Sequence, residues 1–200
     1  MKSVAQAIAG GLVGVACLAA QSAWAQGFQE AHATLVSCST GAVVGAAALV
    51  ERPSPEGIKN VTVMLSATGL VPGKHAVHIH EVASCAATIG PTGTPVPCGG
   101  AGSHLDLGPF GQNNPVIANH PYHSGDLINL PIGSSGAGSM THVTSRVALS
   151  PGNLSIFDGN GSAIIVHAAA DTYCDANPGD ASCAGGGRVA CGIIQPGKAK

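Results

Sequence analysis

The sequence predicts an all-β fold, a sandwich or barrel of short strands interrupted by two long loops. Three observations predict it. Gly (29 residues) and Pro (13 residues) are spread along the 200-residue chain as turn punctuation, not gathered in one linker. Between them lie short runs of Val, Ile, Thr and Ala, the length and composition of strands. No run keeps a helical period over three turns. Many short strands with frequent turns make a sandwich or a barrel.

The predicted strands follow in order. The run 33–37 ends at the turn-forming Ser39-Thr40-Gly41, and 42–50 is an Ala- and Val-rich run that closes before Pro53. In 59–66, Val61, Val63 and Leu65 share one face, while Asn60, Thr62 and Ser66 share the other, with Met64 as the exception. That alternation marks a half-buried strand. The run 75–81 carries three histidines, and 141–148 and 162–168 complete the set. Two stretches, about 82–131 and 169–187, break the rhythm. Loops of that length in a compact domain are usually functional or pinned.

The first 25 residues read as a signal peptide. Lys2 is the positive start, 7–20 is an uncharged, mostly apolar run, and Ala23-Trp24-Ala25 fits the small-x-small cleavage rule. A lipid anchor on Cys17 is the alternative, against which Gly14 stands where such signals usually have Leu. Residues 26–200 are then one domain, with a core of useful size. No stretch reaches the length of a membrane span. The whole chain carries a formal charge of −2 with no basic block, so nucleic acid is not an expected partner. Charged residues are 9% of the chain, so Ser, Thr, Asn and Gly must supply most of the polar surface. Cys17 leaves with the signal, and six of the seven cysteines remain: Cys38, Cys85, Cys98, Cys174, Cys183 and Cys191. An even count without any C-x-x-C pair reads as disulfides in an exported protein, periplasmic or secreted. Sequons at Asn60, Asn153 and Asn160 would matter only in a eukaryotic secretory route. No apolar strand stands out as an interface, which leaves monomer and homodimer both open.

Seven of the nine histidines cluster: His75, His78 and His80; His104, His120 and His123; and His167. His78 and His80 are two apart in a strand, so both project from one face as a shared metal requires, while His75 has the opposite parity. Imidazoles without competing thiolates suit copper and zinc. Asp126 and Asp171 each follow a histidine by a few residues, one as a candidate ligand and the other as a carboxylate that orients a ligand ring. His32 and His142 read as ordinary surface histidines.

Five motifs in order carry a resemblance: Gly73-Lys74-His75-Ala76-Val77-His78-Ile79-His80-Glu81, Ala101-Gly102-Ser103-His104, His123-Ser124-Gly125-Asp126-Leu127, Ile165-Val166-His167 with Asp171, and Gly187-Arg188-Val189-Ala190-Cys191-Gly192. The chain resembles the copper–zinc superoxide dismutase family over roughly residues 33–194. Ala76 and Val77 depart from that family's Gly and Phe, which are packing positions. The resemblance implies a Greek-key β-barrel, or immunoglobulin-like sandwich, of about eight strands. It implies copper on His78, His80, His104 and His167, and zinc on His104, His120, His123 and Asp126, with His104 as the bridge. His75 and Asp171 would stand behind the ligands. Arg188 would hold superoxide, with His104 passing a proton, and the product would be oxygen and hydrogen peroxide through Cu(II)/Cu(I) cycling. Only Pro121 and Tyr122 separate His120 from His123, closer than is usual in the family, and a copper-only site follows if His120 points away. A non-catalytic copper-binding relative and a structural β-domain are the competing readings. The first is expected to lack a copper ligand or Arg188, and the ordered histidines argue against the second. The resemblance also implies a Cys85–Cys191 disulfide. Cys174 and Cys183, close in a Pro- and Gly-containing loop, would pair with each other. Cys38 and Cys98 remain, and sequence does not fix their pairing among the connectivities that six cysteines allow.

Overall fold

The computed structural model describes residues 29–108, 120–173 and 183–197. The signal peptide assigned to 1–25 lies outside them. The strands are β1 (Gln29–Ser37), β2 (Val43–Pro53), β3 (Lys59–Ala67), β4 (Gly73–His75), β5 (Val77–His80), β6 (Thr88–Ile89), β7 (Pro95–Val96), β8 (Leu130–Ile132), β9 (Gly138–Thr144), β10 (Ala163–His167), β11 (Arg188–Ile193) and β12 (Gln195–Pro196). A curled sheet runs β5-β10-β11-β1-β2-β3-β9, and β4 pairs with β8 beside it. All these pairings are antiparallel. The neighbours β5–β10, β11–β1 and β3–β9 are not consecutive in the chain, and these crossovers give the sheet its Greek-key character. A 3-10 turn spans Gly99–Ala101. No helix among the described residues is long and apolar enough to cross a membrane.

Alternation builds the core. On β3, Val61, Val63 and Leu65 are buried, while Met64 and Ser66 are exposed. They pack with Leu35 of β1, Leu49 of β2, Ile79 of β5 and Ile164 of β10. Each such side chain contributes roughly 1.5–3 kcal/mol by leaving water.

The chain departs from the sequence reading at several places. The predicted run 75–81 is interrupted at Ala76, whose N–H donates to Ala169 O and whose carbonyl accepts from His167 N–H. The backbone there pairs with the exit of β10 instead of continuing its own ladder. The run 141–148 starts earlier, at Gly138, and stops at Thr144, beyond which Val147 and Ala148 are buried in a turn. The stretch 82–131 is not structureless: it holds β6, β7, the 3-10 turn and the start of β8.

That stretch is also pinned. Disulfides join Cys38 to Cys98 and Cys85 to Cys191. They gather with Ala101, Ala163 and Ile165 into a second small core. With sequence separations of 60 and 106, each closes a long loop, worth about 4 kcal/mol in the chain-entropy account. Cys183 is disulfide-bonded, and its expected partner Cys174 lies outside the described residues.

Candidate metal centre

The centre is assembled where β5 meets β10. His78 and His80 project from one face of β5, paired in register with Ile165 and Ala163. Both are buried. His167 ends β10 at a register shift. Gly185 closes over it. A Cβ there would stand 2.5 Å from Ala76 Cβ and 2.8 Å from His167 Cβ, at a φ of +88° that favours glycine. The loop strands then bridge to β5: His104 pairs with His80, and Asp126 with His78. Gly125 permits this. A Cβ there would lie 2.2 Å from Ile79 O, whereas glycine lets Gly125 O accept from Ile79 N–H at 2.8 Å.

Two sets of possible metal ligands converge. His78, His80, His104 and His167 form one, and His78, His104, His120 and Asp126 form the other, each with its donor atoms within 4.8 Å of one another. His78 and His104 belong to both. His123 falls just outside the second set, but its Nδ1 lies 3.0 Å from Asp126 Oδ2. His104 Nδ1 is 2.8 Å from Asp126 Oδ1, and His120 Nδ1 is 3.1 Å from Asp126 Oδ2. Three imidazole nitrogens therefore surround one carboxylate.

The outer contacts decide which ring nitrogen is left to bind. His80 Nδ1 meets Gly102 O at 3.0 Å, and His167 Nδ1 meets Gly186 O at 2.9 Å. A carbonyl only accepts, so both Nδ1 atoms carry the proton and both Nε2 atoms present a lone pair. His78 Nε2 is 3.0 Å from Asp171 Oδ2, which leaves its Nδ1 in the same state, whereas His120 spans two carboxylates, with Nε2 2.8 Å from Asp171 Oδ1 and Nδ1 facing Asp126. Three atoms, His78 Nδ1, His80 Nε2 and His167 Nε2, are buried without a hydrogen-bond partner among the described residues. Buried polar atoms are normally satisfied. Neutral imidazoles with one nitrogen fixed by an acceptor and the other aimed inward are what a metal ligand requires. The donor set therefore fits copper and zinc.

The electrostatics agree. Burial, followed by the neighbouring His104, holds His80 well below the ordinary imidazole range. Burial also lowers His104 to about 4 and His167 to about 3. His120 goes the other way: burial opposes its charge, but Asp126 and Asp171 outweigh it and push it up to about 9. Burial works against the ionised forms of Asp126 and Asp171, yet their histidine partners hold both carboxyls well below the usual range.

His75 turns away, as its parity predicts. It is buried, with Nδ1 2.6 Å from His167 O and Nε2 2.8 Å from Val71 O. Arg188 donates from Nη1 to Cys98 O at 2.7 Å and from Nη2 to Gly102 O at 2.5 Å. It thus shares Gly102 O with His80 and lies at the edge of the histidine set. Burial lowers its pKa. His32 is exposed and His142 half-buried, both apart from the centre.

Three supporting residues escaped the sequence reading. Asn129 clamps the backbone of Asp171, donating to its carbonyl at 3.0 Å and accepting from its N–H at 2.7 Å. Its place three residues after Asp126 is the one signal that could have marked it. Glu81 accepts from Ser103 N–H beside His104. Arg146 donates to Pro121 O and Asp126 O, and nothing in its sequence context points to that.

Residues 43–194 match the family described as copper/zinc superoxide dismutase (SODC). The chain is 35% identical over 157 residues to "Superoxide dismutase [Cu-Zn]" of Deinococcus radiodurans, covering 78% of this chain and 79% of that protein. It is 34% identical over 166 residues to the protein of the same description from Caulobacter vibrioides, covering 80% and 83%. Among solved structures, the Cu/Zn superoxide dismutase from Brucella abortus superposes with a TM-score of 0.56 at 27% identity, covering 83% of this chain and 99% of that one.

Proposed function

The chain belongs to the copper/zinc superoxide dismutase family, and from that premise we propose how its residues divide the work. The enzyme is a superoxide dismutase: two superoxide ions and two protons become oxygen and hydrogen peroxide. Copper is assigned to His78 Nδ1, His80 Nε2, His104 and His167 Nε2. Zinc is assigned to His104 Nδ1, His120, His123 and Asp126, with His104 shared. The observation that carries the assignment is the set of three buried ring nitrogens left without a partner, His78 Nδ1, His80 Nε2 and His167 Nε2, each on a histidine whose other nitrogen is held by an acceptor. When bound, copper supplies reversible one-electron transfer, and zinc supplies a fixed charge without redox chemistry.

The chain's own residues do the rest. Arg188, anchored by two carbonyls, offers a fixed cation with a fork of donors to a small anion at the edge of the site. His104, with Nδ1 turned to Asp126, keeps Nε2 on the side of the copper set, where it can hold or release a proton. Asp171 joins the two sets by contacting both His78 and His120. The contacts of His120 with Asp126 and Asp171 favour a zinc site over the copper-only alternative. Retention of Arg188 and all four copper-set histidines favours an enzyme over a non-catalytic copper binder.

We further assign residues 1–25 as a signal peptide and the mature chain, 26–200, to the periplasm or the exterior. Two disulfides and bacterial relatives support this. The test is the mature protein loaded with both metals. It should hold about one zinc per copper and consume superoxide in a cyanide-sensitive reaction. His120→Ala should lose zinc and keep copper. Wild type refolded with both metals yet holding copper alone would overturn the zinc assignment.

A further inference from the structure

Zinc ligands His120, His123 and Asp126 all come from one short segment. Besides the side-chain contacts of Ser124 with Leu107, Asp126 with His104 and His120 with Asp171, the segment's backbone contacts with the rest of the described residues are few. Gly125 N–H donates to Leu105 O, Gly125 O accepts from Ile79 N–H, and Leu127 N–H donates to Val77 O. Within it, Asp126 N–H returns to His123 O, and Asp126 Oδ2 accepts from His123 N–H. Residues 120–123 take no backbone hydrogen bond from any strand among those contacts.

Arg146 supplies what is missing. It follows β9, and its own N–H is fixed on Thr144 Oγ1 at 3.1 Å, with Thr144 buried. From there Nη1 donates to Pro121 O at 3.2 Å and Nη2 to Asp126 O at 2.5 Å. The two carbonyls bracket the segment, one directly after His120 and the other on Asp126 itself. A guanidinium can span them because its donors form a rigid planar fork; a lysine ammonium is a point charge on a flexible stem. Charge-assisted bonds to carbonyls are also stronger than neutral ones. The proximity of the guanidinium also helps to lower the pKa of half-buried His142, after burial itself.

We propose that Arg146 is the positioning residue of the zinc site, a clamp that holds His120 and Asp126 in ligating geometry from the end of β9. It touches neither metal nor substrate and acts through the two carbonyls. The inference rests on the zinc assignment above. Groups one step removed from a metal typically change affinity by about 10- to 100-fold when lost. The same range is expected here for zinc and a smaller change for copper, because His78, His80 and His167 sit on strands that Arg146 does not touch and only the shared His104 meets Asp126.

The experiment uses copper-loaded full-length mature protein in wild-type, Arg146→Met and Arg146→Lys forms. Zinc affinity is measured by chelator competition, and cobalt(II) placed in the zinc site reports ligand geometry through its visible spectrum. Thermal unfolding of the metal-free proteins tracks stability separately. Expected are a zinc affinity roughly 10- to 100-fold weaker in R146M, a shifted cobalt spectrum, a copper affinity changed by less than that of zinc, and only partial recovery in R146K. Zinc affinity within threefold of wild type in R146M would overturn the clamp, as would equal losses of copper and zinc, or complete recovery in R146K. Failure of wild type to bind zinc, or of His120→Ala to lose it, would instead strike the zinc assignment and is read first.

Discussion

Replacing Asp171 with Asn probes the link between the two metal sets. Asp171 Oδ2 meets His78 Nε2 at 3.0 Å, and Oδ1 meets His120 Nε2 at 2.8 Å while also accepting from Tyr173 N–H at 2.7 Å. All three side chains are buried, so water cannot substitute for a lost acceptor. An amide has the same shape but only one accepting oxygen. Whichever way it turns, one imidazole faces an NH2 and loses its acceptor. His78 is held by its strand, fully packed in register with Ile165. His120 comes from a loop and depends on the carboxylates for its orientation. Zinc should therefore suffer more than copper. One lost contact of this kind weakens affinity by about 10- to 100-fold, or about 1.4–2.7 kcal/mol. Competition titration of each metal on Asp171→Asn reads this directly, with copper expected to weaken by less than zinc. Wild-type zinc affinity, or a loss of copper exceeding that of zinc, would refute the reasoning.

Three further outcomes follow from the same geometry. Arg188→Ala should lower the rate of superoxide consumption and remove most of its salt dependence. In wild type that dependence should already be weak, because residues 169–187 contain Asp171, Asp175 and Asp180 and no Lys or Arg to steer an anion over long range; a steep fall with salt in both proteins would contradict this. Zinc affinity should rise with pH by up to tenfold per unit between about pH 6 and 8. His120, raised to about 9, must lose its proton to ligate, whereas His104 at about 4 and His167 at about 3 are already neutral there. Copper affinity should change less over that window, and parallel slopes for the two metals would count against the assignment. His75→Ala should lower stability by roughly 1–3 kcal/mol, through the buried ring's lost packing and the one carbonyl, of Val71 or His167, that loses its donor, while copper content stays near wild type.

The histidine cluster was legible because its members are written in local patterns. A spacing of two puts His78 and His80 on one face, and the opposite parity sends His75 to the carbonyls behind. Five motifs in order supplied the rest. The long-range contacts were not legible. Cys38 and Cys98 are 60 residues apart and meet beside β11, where Cys38 N–H donates to Val189 O and Cys98 O accepts from Arg188. Arg146 looks like any exposed-strand arginine until the fold sets it under residues 121 and 126. β8 is three residues around a proline, too short for alternation to register. The break at Ala76 escaped notice because its cause lies at Ala169 and His167, whose backbone takes over the pairing.

The central claim is that His78, His80, His104 and His167 together hold the copper that makes this chain a superoxide dismutase. The most direct test is the electron paramagnetic resonance spectrum of the copper-loaded protein, recorded beside the second-order rate of superoxide loss, for wild type, His167→Ala and His75→Ala. The account predicts four nitrogen ligands and full activity in wild type, loss of one nitrogen and of activity in His167→Ala, and a wild-type spectrum in His75→Ala. An unchanged spectrum and rate in His167→Ala, or the same loss of signal and activity in His75→Ala, would contradict it.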